Sequence, residues 1–173
     1  MRVLALDIAT ASGWATDGCA VCPPRFGTWR VPGGTANLGH AIFRFNQWLY
    51  EIAATYQPDI IAYEAPFMSS GGGKTNPQTM FLLIGLCAVA ESVAYAHKVR
   101  AIQAHVQTVR KHFVGHGRPD NPKKVVAARC RQLGWDVRDD NAADACAIWT
   151  WAKATHDRTF RLETGALFAG AAP

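Results

Sequence analysis

The chain has 173 residues, enough for one domain with a sizeable core, and its 49% hydrophobic and 18% charged content fits a soluble globular protein. A net charge of +5 favours an anionic partner, nucleic acid first among them. No secretory signal opens the chain, its longest apolar stretch (Met80 to Ala90) is too short for a membrane span, and five scattered cysteines read as reduced thiols, so a cytoplasmic protein with no membrane association is expected.

Arg2 to Asp7 reads as a first strand, because Val3, Leu4, Ala5 and Leu6 form a short apolar run ended by one carboxylate. Gly13 to Thr16 continues as a closely connected second strand, and Asp17-Gly18 marks a turn. Cys19 and Cys22 make a lone C-x-x-C beside two prolines. No second cysteine pair or close histidine pair completes a ligand set, so a hairpin loop is the reading rather than zinc or a redox pair. Arg25 to Val31 alternates as a third strand and completes a meander.

Asn37 to Tyr56 is the clearest helix, with Leu38, Ile42, Phe45, Leu49, Ile52 and Tyr56 recurring at helical spacing before Pro58. Asp59 to Glu64 is a fourth strand. Arriving after a helical crossover, it should pair parallel to the first, which puts Asp7 and Glu64 at neighbouring carboxyl ends, where open α/β sheets place ligands. Ala65 to Thr75 is a glycine-rich loop. Asn76-Pro77 then opens a helix to about His97 that is apolar on nearly every face, so it is expected to be buried in its own core or against a second subunit. A fifth strand covers Val99 to Ala104, and helices follow over Val106–Phe113, from Asn121-Pro122 to Leu133, and over Asn141–Ala154. Residues after about 156 form a poorly defined tail, and no repeat or linker divides the chain, so residues 1–173 are read as one domain.

Three apolar elements thus each deliver an acid: Asp7, Glu64 and the pair Asp140 and Asp144. A carboxylate ending an apolar strand is costly without a partner. Singly, such an acid is commonly a cap or turn residue; together the set points to divalent metal. Phosphodiester chemistry needs charge neutralised, water activated and a leaving oxygen stabilised, which two ions about 4 Å apart can do. Mg²⁺ takes oxygen ligands and keeps several waters, so three or four carboxylates suffice. Asp140 and Asp144 share a face if the helix starts near Asp140, whereas Asp139 lies on another side and reads as a cap or a solvated acid.

The order of these pieces resembles the RuvC family of Holliday junction resolvases, a branch of the RNase H-like superfamily. The resemblance runs over most of the chain. It rests on the strand ending in Asp7 with Gly13-Trp14 beyond it, Glu64 followed by Ala-Pro-Phe-Met, the basic segment from Lys111 through Lys123-Lys124, and Asn141-Ala-Ala-Asp-Ala-Cys-Ala. One departure is that Asn141 stands where the bacterial pattern has Asp. A D-N-x-x-D version looks like the phage-encoded branch, with Asp140 taking over as carboxylate or Asn141 ligating through its amide oxygen. The resemblance implies an α/β, RNase H-like fold with a five-stranded mixed sheet flanked by helices. It implies a homodimeric, Mg²⁺-dependent endonuclease, with Mn²⁺ able to substitute, that nicks four-way junctions symmetrically. Metal would be held by Asp7, Glu64, Asp144 and Asp140 or Asn141, and the helix after Pro77 would be the dimer face.

The same resemblance makes Phe67 the aromatic that stacks on unpaired bases at the junction centre. Lys74 would touch phosphate in its loop or merely be solvated, and the plainer reading of Phe67 is an ordinary residue tucked under that loop. Arg110, Lys111, His112, His116, Arg118, Lys123 and Lys124 form a second basic region suited to phosphate, with Arg110 and Lys123 aligning best with the family's DNA-contacting lysines. A solvated charged face is the plainer reading of that region. Rivals are a broad flap and fork endonuclease, a catalytically silent junction-binding module suggested by Asn141, and an RNase H-like sugar kinase or ATPase. For the last the chain is short, and it lacks a second phosphate-binding glycine turn.

Overall fold

A computed structural model describes residues 1–18, 23–64 and 76–162. Five strands, β1 (Val3–Asp7), β2 (Ala11–Thr16), β3 (Arg25–Arg30), β4 (Ile60–Glu64) and β5 (Arg100–Ala104), form one mixed sheet in the order β3-β2-β1-β4-β5. The meander β1-β2-β3 is antiparallel, and β4 pairs parallel to both β1 and β5, as the crossover argument requires.

Two helices, α1 (Leu38–Tyr56) and α2 (Pro77–Ala96), cover one face of the sheet. Helices α3 (Val106–Val114), α4 (Pro122–Gln132) and α5 (Asp140–His156) cover the other. Side chains alternate across a strand. Leu4, Leu6, Ile61 and Tyr63 accordingly join Phe45, Leu49, Leu86 and Val93 under α1 and α2. Val3, Ala5, Ile60 and Ala62 face the α5 side. The same parity puts Asp7 and Glu64 on that side too, one step past the Leu6–Tyr63 pair.

Sheet residues under α5 are small, among them Ala5, Ala15 and Ala62, and α5 answers with Ala142, Ala143, Ala145 and Ala147, all buried. Short side chains on both sides let this helix lie low on the sheet, as the site requires. At its far end, Lys153 fixes it. The ammonium donates to Asp17 at 2.7 Å and to the Met1 carbonyl at 2.5 Å, and pairs with Asp157 at 3.3 Å.

Several boundaries differ from the sequence reading. Strand β2 starts at Ala11, two residues before Gly13, because small residues pair with β3 as readily as the Gly-Trp run does. Helix α5 runs on to His156, and beyond it Phe160 packs edge-on against Trp149 with ring centroids 5.4 Å apart, so this stretch is held by aromatic contact rather than periodicity. Leu38 is exposed, and Ala41 and Ala53 supply the buried stripe of α1 instead. At 20 residues, α2 has the length and apolar composition of a membrane span, more than the stretch read from sequence. Its Leu82, Leu86, Ala90, Val93 and Ala94 nevertheless pack into the domain, so it forms a layer of the fold. It is not buried all round: Phe81, Ile84 and Tyr95 are exposed, Tyr95 by 87%.

Candidate metal and nucleic-acid site

Asp7 ends β1, Glu64 ends the adjacent parallel β4, and Asp144 sits one turn into α5 above them. All three are half-buried, and among the described residues none of their side chains makes a hydrogen bond or ion pair. The consequence is electrostatic. Burial, then the Asp144 and Glu64 charges, push Asp7 from 3.8 up to about 8, against the opposing pull of Lys123 and Arg110. Burial and the Asp144 charge push Glu64 up to about 7, again opposed by Arg110. Burial raises Asp144 as well, with Asp140 adding to it and Arg110 and Lys123 working against it. Three acids from three elements therefore share one field, facing two cations.

Their arrangement is open rather than closed on a point. Among the described residues, no three His, Cys, Asp or Glu side chains are gathered tightly enough to hold an ion as they stand. The donor chemistry still suits a hard divalent cation: oxygen ligands only, carboxylates without an ion-pair partner among the described residues, and an open arrangement that leaves room for waters.

The other predicted residues fall into place around this centre or outside the described part. Asp140 is exposed and lies 3.5 Å from Lys123 in a solvated pair, and its charge reaches Asp144 but is not felt at Asp7. Asn141 is half-buried in the first turn of α5. Asp139 is a cap. Its carboxylate accepts from the Ala142 N–H at 3.0 Å and from the Thr28 hydroxyl at 2.6 Å, and these bonds hold its pKa low despite the cost of burial. Arg110 on α3 is half-buried beside the acids, and Lys123 opens α4. Lys111, His116, Arg118 and Lys124 are exposed. His112 joins Lys124 and Arg129 in lining an open groove of about 610 Å³ between α3 and α4 that extends the basic surface. Phe67, Lys74, Cys19 and Cys22 lie outside the described residues. Thr28 and Arg129 escaped the sequence reading. Thr28 could have been found only from strand register, which propensity does not give.

Among curated proteins, the chain is 33% identical over 126 residues to the crossover junction endodeoxyribonuclease RuvC of Bordetella parapertussis, and 32% identical over the same length to that of Bordetella pertussis. The chain is thus similar to RuvC proteins over about two thirds of its own length. The alignments cover 68% of this chain and 64% of each relative, so it spans less than two thirds of the curated RuvC proteins it matches. Thermus thermophilus RuvC superimposes with a TM-score of 0.68 at 18% identity, covering 90% of this chain and 96% of that one. The same protein in complex with Holliday junction substrate gives 0.67 at 14% identity with the same coverage. The yeast mitochondrial Holliday junction resolvase gives 0.56 at 12%, covering 90% of this chain and 81% of the other. The fold is thus that of RuvC. No family model matches the chain.

Proposed function

We propose that this chain is a member of the RuvC family and a divalent-metal-dependent endonuclease that resolves four-way DNA junctions inside the cell. The observation that carries the reading is the convergence of Asp7, Glu64 and Asp144, unpaired among the described residues, at the carboxyl ends of adjacent parallel strands with Arg110 and Lys123 beside them. Similarity to RuvC proteins, and to one solved with a Holliday junction substrate, supports the substrate class.

Asp7, Glu64 and Asp144 would hold Mg²⁺ or Mn²⁺, with Asp140 or Asn141 completing the set. Ions bound there would supply charge neutralisation and an activated water for hydrolysis of a phosphodiester. Arg110 and Lys123 draw the DNA backbone toward the acids. Lys111, His116, Arg118 and Lys124 carry an adjoining arm, while Phe67 stacks on unpaired bases at the junction centre and Lys74 touches phosphate. The exposed apolar positions on α2, Phe81, Ile84, Ala88 and Tyr95, are spaced three, four and seven residues apart and so share one side of the helix. With Phe43 and Tyr50 of α1 they make the homodimer face that paired nicks require. The D-N-x-x-D motif at 140–144 fits a phage-type member of the family.

The test is nicking of a synthetic four-way junction against fork and linear duplex. The parent should cut the junction with Mg²⁺ or Mn²⁺, and Asp7→Asn should bind it in Ca²⁺ without cutting. Full activity in Asp7→Asn would remove that residue from the chemistry, and equal cutting of all three substrates would remove junction selectivity.

A further inference from the structure

Three residues stand in one row across the sheet. Asp7 on β1 is paired with Gly13 on β2, and Gly13 with Thr28 on β3. Helix α5 begins over this row. A Cβ placed on Gly13 would lie 1.9 Å from the Asn141 carbonyl oxygen, 2.3 Å from the Asn141 carbonyl carbon and 3.1 Å from the Ala142 nitrogen. Those neighbours are helix backbone and cannot swing aside, so strand and helix touch there with no side chain between them. Gly13 is not needed for a left-handed conformation, since its φ is not positive. What the row uses is the missing side chain.

The next residue in the row supplies a tether. The Thr28 hydroxyl donates to Asp139 at 2.6 Å, and the same carboxylate oxygen caps α5 through the Ala142 N–H at 3.0 Å. One strand position therefore offers an acid, the next a gap for the helix and the third a hook for its cap. Asp144 follows Asp139 by five residues, about 7.5 Å along a rigid helix. Any displacement of the first turn is carried to it.

We propose that Gly13 and Thr28 are positioning residues that set the height and rotation of α5 over the sheet, and through it the separation of Asp144 and Asn141 from Asp7. This rests on the metal-dependent nuclease reading above. Relieving a Cβ contact at 1.9 Å requires the helix to retreat by about 1 Å, whereas metal and catalytic groups tolerate about 0.5 Å.

Mn²⁺ alone is the probe, titrated into the full chain and followed by loss of the free-ion paramagnetic resonance signal, with thermal unfolding in EDTA alongside. Thr28→Val keeps the shape and removes the donor. It should bind Mn²⁺ about tenfold more weakly, the lower end of what loss of an outer contact costs, and Thr28→Ser should restore the affinity. Gly13→Ala, where it folds, should lose at least about tenfold. Rescue by serine separates positioning from general loosening, which would not follow the hydroxyl. The proposal falls if Thr28→Val binds Mn²⁺ like the parent, if Thr28→Ser is as weak as the valine variant, or if a folded Gly13→Ala binds normally. If Gly13→Ala does not fold, the Thr28 pair decides. A parent chain that binds no Mn²⁺ would instead overturn the nuclease reading, and this proposal with it.

Discussion

Replacing Asp7 by asparagine should make the metal-free chain more stable at neutral pH. Burial first, and then the charges of Asp144 and Glu64, raise Asp7 from 3.8 to about 8. The unfolded chain ionises this group near 3.8, so at pH 7.5 folding must either return a proton to it or bury its charge. The sign follows from linkage. A carboxyl with a raised folded pKa contributes no penalty below about pH 4, a growing one as pH rises, and a constant one above about pH 8. At 1.36 kcal/mol for each pH unit, the ceiling at pH 7.5 is about 5 kcal/mol. Water entering a half-open site lowers this to roughly 2–3 kcal/mol, about 5–10 °C in Tm for a chain of this length. The assay is thermal unfolding of parent and Asp7→Asn in EDTA at pH 4 and pH 7.5, repeated with Mn²⁺ at the higher pH. The variant should unfold later at pH 7.5, match the parent at pH 4 and gain little from Mn²⁺, which should raise the parent. An Asp7→Asn chain no more stable than the parent at pH 7.5, or equally raised by Mn²⁺, would refute the reasoning.

Arg110→Ala and Lys123→Ala should each weaken junction binding in Ca²⁺ and lower the slope of log affinity against log salt by about one; an unchanged slope would take the residue off the DNA backbone. Ile84→Glu, on the exposed row of α2, should turn a dimer into a monomer in sedimentation equilibrium while leaving the circular dichroism spectrum intact, and a persisting dimer would move the interface elsewhere. Lys153→Ala leaves Asp17 and Asp157 without their ammonium and should cost about 3–5 kcal/mol in urea unfolding; a loss below 1 kcal/mol would show that the network contributes little.

Much of the architecture could be read from the chain because its local signals agree. The apolar runs at 3–6 and 60–63, the helical stripe through Phe45 and Leu49, and Pro at the first positions of α2 and α4 each point to one element. The crossover between β1 and β4 then forced the parallel pairing that brings Asp7 and Glu64 together. What could not be read depends on register and depth. The row Asp7–Gly13–Thr28 exists only once two hairpins are aligned, and a one-residue slip would turn Thr28 to the other face. Asp139 had two readings because a capping carboxylate and a solvated one look alike until Thr28 stands opposite it. The half-exposed state of α2 was undecided for a related reason, since a helix apolar on every side carries no mark of which side the domain leaves uncovered.

The central claim is that acids from β1, β4 and α5 share divalent ions, and diffraction from crystals soaked in Mn²⁺ tests it most directly. The account predicts anomalous peaks between Asp7, Glu64 and Asp144, two of them about 4 Å apart where a phosphodiester is bound. Manganese found only at other carboxylates, with these three left bare, would contradict it.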